Sequence, residues 1–506
     1  LRETLRREGV YVDGTCADNG TCGRCVVRIV HGDAGEPSLP ETALLGERSA
    51  DHDHRLACRV KVKGDLEISV APERMLEVDR TGRWKEVWGS PLWRPDSIAP
   101  DHEGFGLAID LGTTSVVCGL FDLAGARPLD LKAVANPHLP WGEEIISRLG
   151  AVREDPGLSF KLRDLMWKTA GDQVRSLCLR NGLSMGRITR VVAVGNSAVH
   201  HLALGLPVES LLTPPYAPSV ASAVTLPASE LFTGLRFSRE AQVYFPPLAG
   251  GFAGSDALLS LLAARRVSRE RGALIDVGTN TEIALWSGDE VAVGTAPSGP
   301  AFEGGHIRSG MRAEEGAIWS AELTKEDLVV QVLGGGTAKG ICGTGIVDLV
   351  AAMVRAGVVD RSGLILEGSH PLVSGGRLRI GGGGGIALDG EDVATVQKAK
   401  AAVAGTLHML LKGTGMALGE IGRVYLGGAF GSRLNLSNAV RIGLLPDIPL
   451  EDYVLAGNTA LVGASMVLVS EEARLEAERM APSVRHIGVA DTGEFEELFI
   501  DNLYFS

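Results

Sequence analysis

Four cysteines stand early in the chain as Cys16-x5-Cys22-x2-Cys25, followed by Cys58 inside Leu56-Ala57-Cys58-Arg59. Three thiolates in one tight loop plus a fourth from a returning segment form a ligand set for a [2Fe–2S] cluster. Gly20 and Gly23 let that loop wrap one side of a cluster. Structural zinc sites instead pair Cys-x2-Cys with a second close pair, whereas Cys58 stands alone. Rieske ligation needs two histidines in place of cysteines. With four cysteines present, His31, His52 and His54 read as loop residues. The chemistry expected at this end is one-electron transfer.

A second signature is an internal repeat. Leu107-Ala108-Ile109-Asp110-Leu111-Gly112-Thr113-Thr114 is echoed by Ala273-Leu274-Ile275-Asp276-Val277-Gly278-Thr279-Asn280. Each copy is an apolar strand ending in Asp, a Gly-Thr turn, and a second strand (Ser115 to Phe121; Thr281 to Trp286). Glycine lets the backbone approach a phosphate so that successive N–H groups donate to it. Asp110 and Asp276 at strand ends can hold Mg²⁺ through its waters. One such hairpin also arises for purely structural reasons. Two facing each other would grip the β- and γ-phosphates of ATP through Gly112, Thr113, Thr114, Gly278, Thr279 and Asn280.

Further glycine clusters suit the rest of a nucleotide site. Gly340-Ile341-Cys342-Gly343-Thr344-Gly345 precedes an expected helix (Ile346 to Ala356) and could meet a phosphate or form a hinge. Gly427-Gly428-Ala429-Phe430-Gly431 follows the strand Val424 to Leu426, where bare backbone could lie against adenosine. Ser298-Gly299-Pro300-Ala301-Phe302-Glu303-Gly304-Gly305 is a third such loop. Tight helix–strand packing is the alternative for each. Glu143 and Glu144 could position Mg²⁺ or a water for hydrolysis, or be ordinary surface carboxylates. His200 and His201 are either buried and hydrogen-bonded or close to a partner. Arg308 and Arg312 contact phosphate or pair with Glu314 and Glu315.

The elements that must position these groups fall into an α/β pattern. Residues 1–72 alternate short β-rich runs with loops, as a small α+β sheet domain would. Residues 73–104 carry Trp84, Trp88 and Trp93 among Pro, Gly and charges, a linker expected to pack against something. From Phe105 strands alternate with Ala/Leu-rich helices, for example Gln397 to Leu411 and Asn458 to Ala481. The expected division is a first subdomain over 105–245 and a second over 246–506. Five glycines at 381–385 read as a mobile loop.

Composition bounds the function class. The 506 residues hold about three domains, and 45% hydrophobic with 22% charged residues describes a soluble globular protein. A formal net charge of −13 argues against nucleic acid or an anionic membrane as partner. No run of about eighteen apolar residues occurs, so no transmembrane helix is expected. Cys118, Cys178 and Cys342 read as buried thiols, which fits a reducing, cytoplasmic setting.

These residues resemble the acetate kinase, sugar kinase, Hsp70 and actin superfamily. Its two phosphate motifs look like the hairpins of Asp110 and Asp276, its connecting motif like Gly343-Thr344-Gly345, and its adenosine motif like Gly427 to Gly431. More specifically, the chain resembles the reductive activators of corrinoid proteins over nearly its whole length. The likeness is carried by Asn136-Pro137 with Trp141-Gly142-Glu143-Glu144, by Gly195-Asn196-Ser197-Ala198-Val199-His200-His201, by Gly299-Pro300-Ala301-Phe302-Glu303-Gly304, and by Gly310-Met311-Arg312-Ala313. The resemblance implies a duplicated actin/Hsp70-like ATPase fold, with two ribonuclease H-like subdomains, preceded by a ferredoxin-like [2Fe–2S] domain. Two departures are a shorter region between the modules and the lack of a strand pair before Leu1. The cluster domain is therefore expected to be N-terminally incomplete.

The implied function is ATP-dependent return of one electron to a methyltransferase-system corrinoid protein whose Co(I) has oxidised to Co(II). Its cofactors would be the cluster, ATP and Mg²⁺, and its partners the corrinoid protein and an upstream electron donor. Monomer and homodimer both stay open. Two other classes remain at this point: a small-molecule kinase with a redox appendage, and a redox-sensing ATP-binding module.

Overall fold

The computed structural model describes residues 1–7, 12, 25–45, 53–70, 87–95, 98, 100–142, 144–380, 385–431, 433–488 and 493–505. The repeat seen in the sequence becomes a repeat of sheets. The first is built from β4 (Phe105–Leu111), β5 (Ser115–Asp122), β6 (Arg127–Ala135), β7 (Ile188–Val194), β8 (Val224–Pro227) and β9 (Gln242–Phe245), in the order β6-β5-β4-β7-β9-β8. The second uses β10 (Arg271–Val277), β11 (Thr281–Ser287), β12 (Glu290–Ala296), β13 (Val424–Gly427), β14 (Tyr453–Gly457) and β15 (Val484–His486), in the order β14-β13-β10-β11-β12-β15. In both, three antiparallel strands are joined through the first of them to two parallel ones. This is the duplicated ribonuclease H-like plan. β4 and β10 sit inside their sheets and are buried on both faces, which is why each reads as a continuous apolar run rather than an alternation.

Two helices, Ser255–Val267 and Thr459–Val469, pack against each other, and the core they share takes in residues of both sheets. Their backbones meet at Gly463, where a Cβ would stand 2.1 Å from the carbonyl oxygen of Leu259. The single helix expected over Asn458 to Ala481 is in fact two. Ser470 is extended (φ −138°, ψ 121°), and its side chain accepts from the backbone N–H of Ala473, starting a second helix, Glu471–Met480. An N-capping serine followed by two glutamates ends the apolar helix and begins a surface one. The helix expected over Gln397 to Leu411 extends to Gly390–Thr414, started by a capping box between Asp389 and Asp392.

The tryptophan-rich stretch does pack. Trp88 and Trp93 are buried against Phe121 of β5, Trp88 edge-on at 4.9 Å and Trp93 at 5.8 Å. Trp84 lies outside the described residues. Truncating Trp88 to alanine should destabilise the ATPase portion by about 3–5 kcal/mol. Denaturant unfolding checks this, and a loss under about 1 kcal/mol would contradict the anchoring role.

At the other end, β1 (Val26–His31) pairs antiparallel with both β2 (His54–Leu56) and β3 (Glu67–Val70). Their small core holds Val12, Cys25, Val27, Leu45, Leu56 and Ala57. Glu41 and Arg55 are almost fully buried and form an ion pair at 3.0 Å. Glu41 also accepts from the backbone N–H of Leu56 at 3.1 Å, so it fixes the segment that delivers Cys58. Among the described residues no helix is long and apolar enough to cross a membrane.

Candidate functional site

Cys25 immediately precedes β1 and Cys58 lies in the turn after β2, so the pairing of Val26 with Leu56 brings them together. Ala57 donates its N–H to the Cys25 carbonyl at 2.7 Å, and the two sulfurs stand 3.3 Å apart. That is far beyond the roughly 2.05 Å of a disulfide. Two thiolates each about 2.3 Å from one tetrahedral ion lie about 3.8 Å apart, so the pair reaches a shared metal by opening about 0.5 Å. The hydrogen bond with the Cys58 side chain, helped by the Arg2 charge, brings the Cys25 thiol down to about 7. Thiolate is the form that ligates metal. Cys16 and Cys22, and with them Gly20 and Gly23, lie outside the described residues.

The two hairpins face each other across a cleft of about 400 Å³ between the sheets. Asp110 and Asp276 are the penultimate residues of β4 and β10, and Gly112, Thr113, Thr114, Gly278, Thr279 and Asn280 all line the cleft with them. Asn458, the N-cap of helix Thr459–Val469, donates to Asp110 Oδ2 at 2.8 Å. Thr459 donates to Ser260 at 2.8 Å and lies 3.4 Å from Asp276 Oδ2. One helix terminus thus addresses both aspartates. Among the described residues no three His, Cys, Asp or Glu groups converge into an all-protein metal cage. Mg²⁺ characteristically keeps several of its waters and does not need one.

Asp256 and Glu282 escaped the sequence reading, and Glu303 entered it only as part of its glycine-rich loop. Glu303 accepts from Thr114 Oγ1 at 3.3 Å and from Thr279 Oγ1 at 3.0 Å, bridging the two hairpins. Asp256 begins helix Ser255–Val267 and faces both aspartates. Burial, then the charges of Asp110 and Asp276, raise its carboxyl to about 7. Burial and the charges of Asp256 and Asp276 push Glu282 up as well. Asp256 in Gly254-Ser255-Asp256 and Glu303 inside its Gly-rich loop were the available signals. A cleft this acidic calls for a cation alongside any phosphate.

The glycine clusters divide. Gly343 and Thr344 line the cleft, and the helix there starts at Gly343, not Ile346 (Gly343–Arg355). A Cβ on Gly343 would stand 1.8 Å from the Phe302 carbonyl, and one on Gly345 would stand 2.2 Å from the Ile318 carbonyl. Close packing is therefore a sufficient reason for both glycines. Gly428 and Phe430 line the cleft, Phe430 tilted against Phe302 at 5.3 Å. Gly427 and Gly431 are not among the lining residues, and the Ala429 side chain lies outside those described. Gly427 and Gly428 make room for Asp276, whose carboxylate a Cβ would meet at 2.7 and 2.6 Å, and Gly428 has φ +78°.

Other expectations resolve to structure. His200 and His201 are buried, and His201 bonds the Ser197 carbonyl at 2.6 Å and the Ser219 N–H at 3.0 Å. Arg308 pairs with Asp389 at 2.9 Å rather than with Glu314 or Glu315. Arg312 lines the cleft. Glu143 lies outside the described residues, and Glu144 serves as the N-cap position of helix Ile145–Glu154. Cys118, Cys178 and Cys342 are buried as expected. Of the glycine run only Gly385 is described.

Comparison with known proteins matches three family profiles. Residues 1–63 match the 2Fe-2S iron-sulfur cluster binding domain, 105–266 the RACo middle region, and 270–506 the C-terminal domain of RACo, the ASKHA domain. The corrinoid activation enzyme RamQ of Eubacterium limosum is 30% identical over 423 residues, 79% of this chain and 70% of that protein. The [Co(II) methylated amine-specific corrinoid protein] reductase of Methanosarcina barkeri is 27% identical over 409 residues, covering 74% and 71%. A solved structure described as a reductive activator for corrinoid, iron-sulfur protein superposes with a TM-score of 0.73 at 26% identity. It covers 99% of this chain and 95% of its own.

Proposed function

The chain belongs to the family of reductive activators of corrinoid proteins, and from that premise we propose how its residues carry out ATP-dependent reduction of a Co(II) corrinoid protein to Co(I). The carrying observation is the cleft in which two Asp-Gly-Thr hairpins, joined by Glu303, face each other on a chain that also presents the Cys25–Cys58 pair.

Cys16, Cys22, Cys25 and Cys58 would hold the [2Fe–2S] cluster, which when bound supplies a one-electron carrier near about −400 mV. Gly112, Thr113, Thr114, Gly278, Thr279 and Asn280 would hold the β- and γ-phosphates with N–H and hydroxyl donors. Asp110 and Asp276 would hold Mg²⁺ through its waters, oriented by Asn458 and Thr459. Gly428 and Phe430 would flank the nucleoside. Asp256, protonated more easily than an ordinary carboxyl, can hold a proton beside the phosphates. An upstream donor would return the electron to the chain.

ATP is needed because Co(I) is a very strong reductant. A one-electron step changes its equilibrium tenfold per 59 mV. An uphill gap of roughly 100–200 mV leaves only about a hundredth to a thousandth of the cobalt reduced. Closure of the two sheets around nucleotide is the movement by which the chain can act on that balance.

Glu303→Ala should leave the cluster spectrum unchanged and lower ATP-dependent Co(I) formation by about tenfold to a hundredfold. Unaltered activity would remove Glu303 from the site. For the function as a whole, ATP turnover is measured with and without a Co(II) corrinoid protein. Stimulation by the corrinoid protein is expected; turnover stimulated instead by a small phosphoryl acceptor would mean a kinase.

A further inference from the structure

The motif Asn136-Pro137 with Trp141-Gly142 is absent from the walls of the cleft. It lies behind the first phosphate hairpin and holds it. The Gly112 carbonyl accepts from Asn136 Nδ2 at 2.7 Å, the Thr113 carbonyl from Arg148 Nη2 at 2.6 Å, and the Thr114 carbonyl from the Asn136 N–H at 2.9 Å. In a trans peptide the C=O and the following N–H point in opposite directions. Tying back these three carbonyls therefore turns the N–H groups of Thr113, Thr114 and Ser115 away from Asn136 and Arg148. Those three residues line the cleft. Asn136 and Arg148 are 1% and 0% exposed, so water does not compete for the bonds.

The same bracket continues away from the cleft. Asn136 Oδ1 accepts from the His138 N–H at 2.8 Å, and Arg148 Nε donates to the Gly142 carbonyl at 2.8 Å. His138 Nε2 bonds the Leu162 carbonyl at 2.8 Å, anchoring the segment to helix Leu158–Arg180. Between these ties runs the turn Leu139–Trp141, and helix Arg2–Arg7 of the cluster domain lies against that turn. The phosphate hairpin is thus held through Asn136 and Arg148, and the cluster domain is touched by the turn between them.

We propose that residues 136–142 together with Arg148 are the link through which nucleotide at the first phosphate hairpin acts on the cluster domain, with Asn136 and Arg148 as its positioning residues. It rests on the nucleotide assignment above. Coupling of this kind needs an element that both sites bias, and this one is bonded to the first and in contact with the second.

The test uses the cluster-loaded protein and hydrogen exchange of its backbone amides, with and without Mg²⁺ and a non-hydrolysable ATP analogue. In the wild type, exchange over residues 2–7 and 139–142 should change by about fivefold or more on adding the analogue. In Asn136→Ala the visible spectrum should stay, calorimetry should still detect nucleotide binding, and the response over 2–7 should vanish. If Asn136→Ala fails to load the cluster or to bind the analogue, Arg148→Lys is read in the same way. A response over 2–7 that persists in the variant overturns the inference. So does analogue binding to the wild type without any change at either segment. Absence of binding to the wild type overturns the nucleotide assignment as well.

Discussion

Replacing Asp276 with alanine should abolish ATP-dependent Co(I) formation, by about a hundredfold or more, while the [2Fe–2S] absorption stays at its wild-type intensity. The aspartate is the penultimate residue of β10, inside a cleft where Gly427 and Gly428 lack side chains so that its carboxylate can fit, and where Thr459 lies 3.4 Å from it. If Asp276 orients Mg²⁺ as proposed, its loss removes several kcal/mol of charge stabilisation from the phosphate site. Removing it also relieves Asp256 and Glu282 of a like charge, so the fold should tolerate the change. Nucleotide titration and cluster spectroscopy on the same sample separate the two modules. Retained activation in Asp276→Ala would refute the metal role.

Cys58→Ala should produce the mirror-image defect. The visible [2Fe–2S] spectrum should be lost and electron delivery should fall to background, while ATP binding is unchanged. Cys58 reaches its place through a chain of buried ties: Glu41 to Arg55, Glu41 to the Leu56 N–H, and Ala57 to the Cys25 carbonyl. Its sulfur stands 3.3 Å from that of Cys25, which makes the two candidates for one iron. A variant that keeps the wild-type spectrum would sink the ligand assignment.

What was legible in the sequence was local. The Cys16-x5-Cys22-x2-Cys25 run and each Asp-x-Gly-Thr hairpin lie within a few residues, and the repetition of the hairpin marks where two like sheets begin. The groups that complete the cleft come from far along the chain. Glu303 reaches Thr114 across 189 positions and Asn458 reaches Asp110 across 348. No periodicity reports a contact of that kind. The role of glycine was equally hidden, because Gly343 and Gly345 make way for carbonyls and Gly427 for a carboxylate rather than for a ligand. Ser470 shows the limit for helices: one capping serine divides a continuous helical pattern, and only its extended backbone reveals the break. His200 and His201, read as buried residues with a place near a partner as the alternative, are core residues.

The central claim is that one chain couples nucleotide in the cleft to an uphill electron transfer. Its most direct test mixes the anaerobically reduced protein with a Co(II) corrinoid protein and follows Co(I) absorbance with and without MgATP. Substantial Co(I) should form with ATP, and only about a hundredth to a thousandth of the cobalt should be reduced without it. Equal Co(I) in both samples would contradict the coupling.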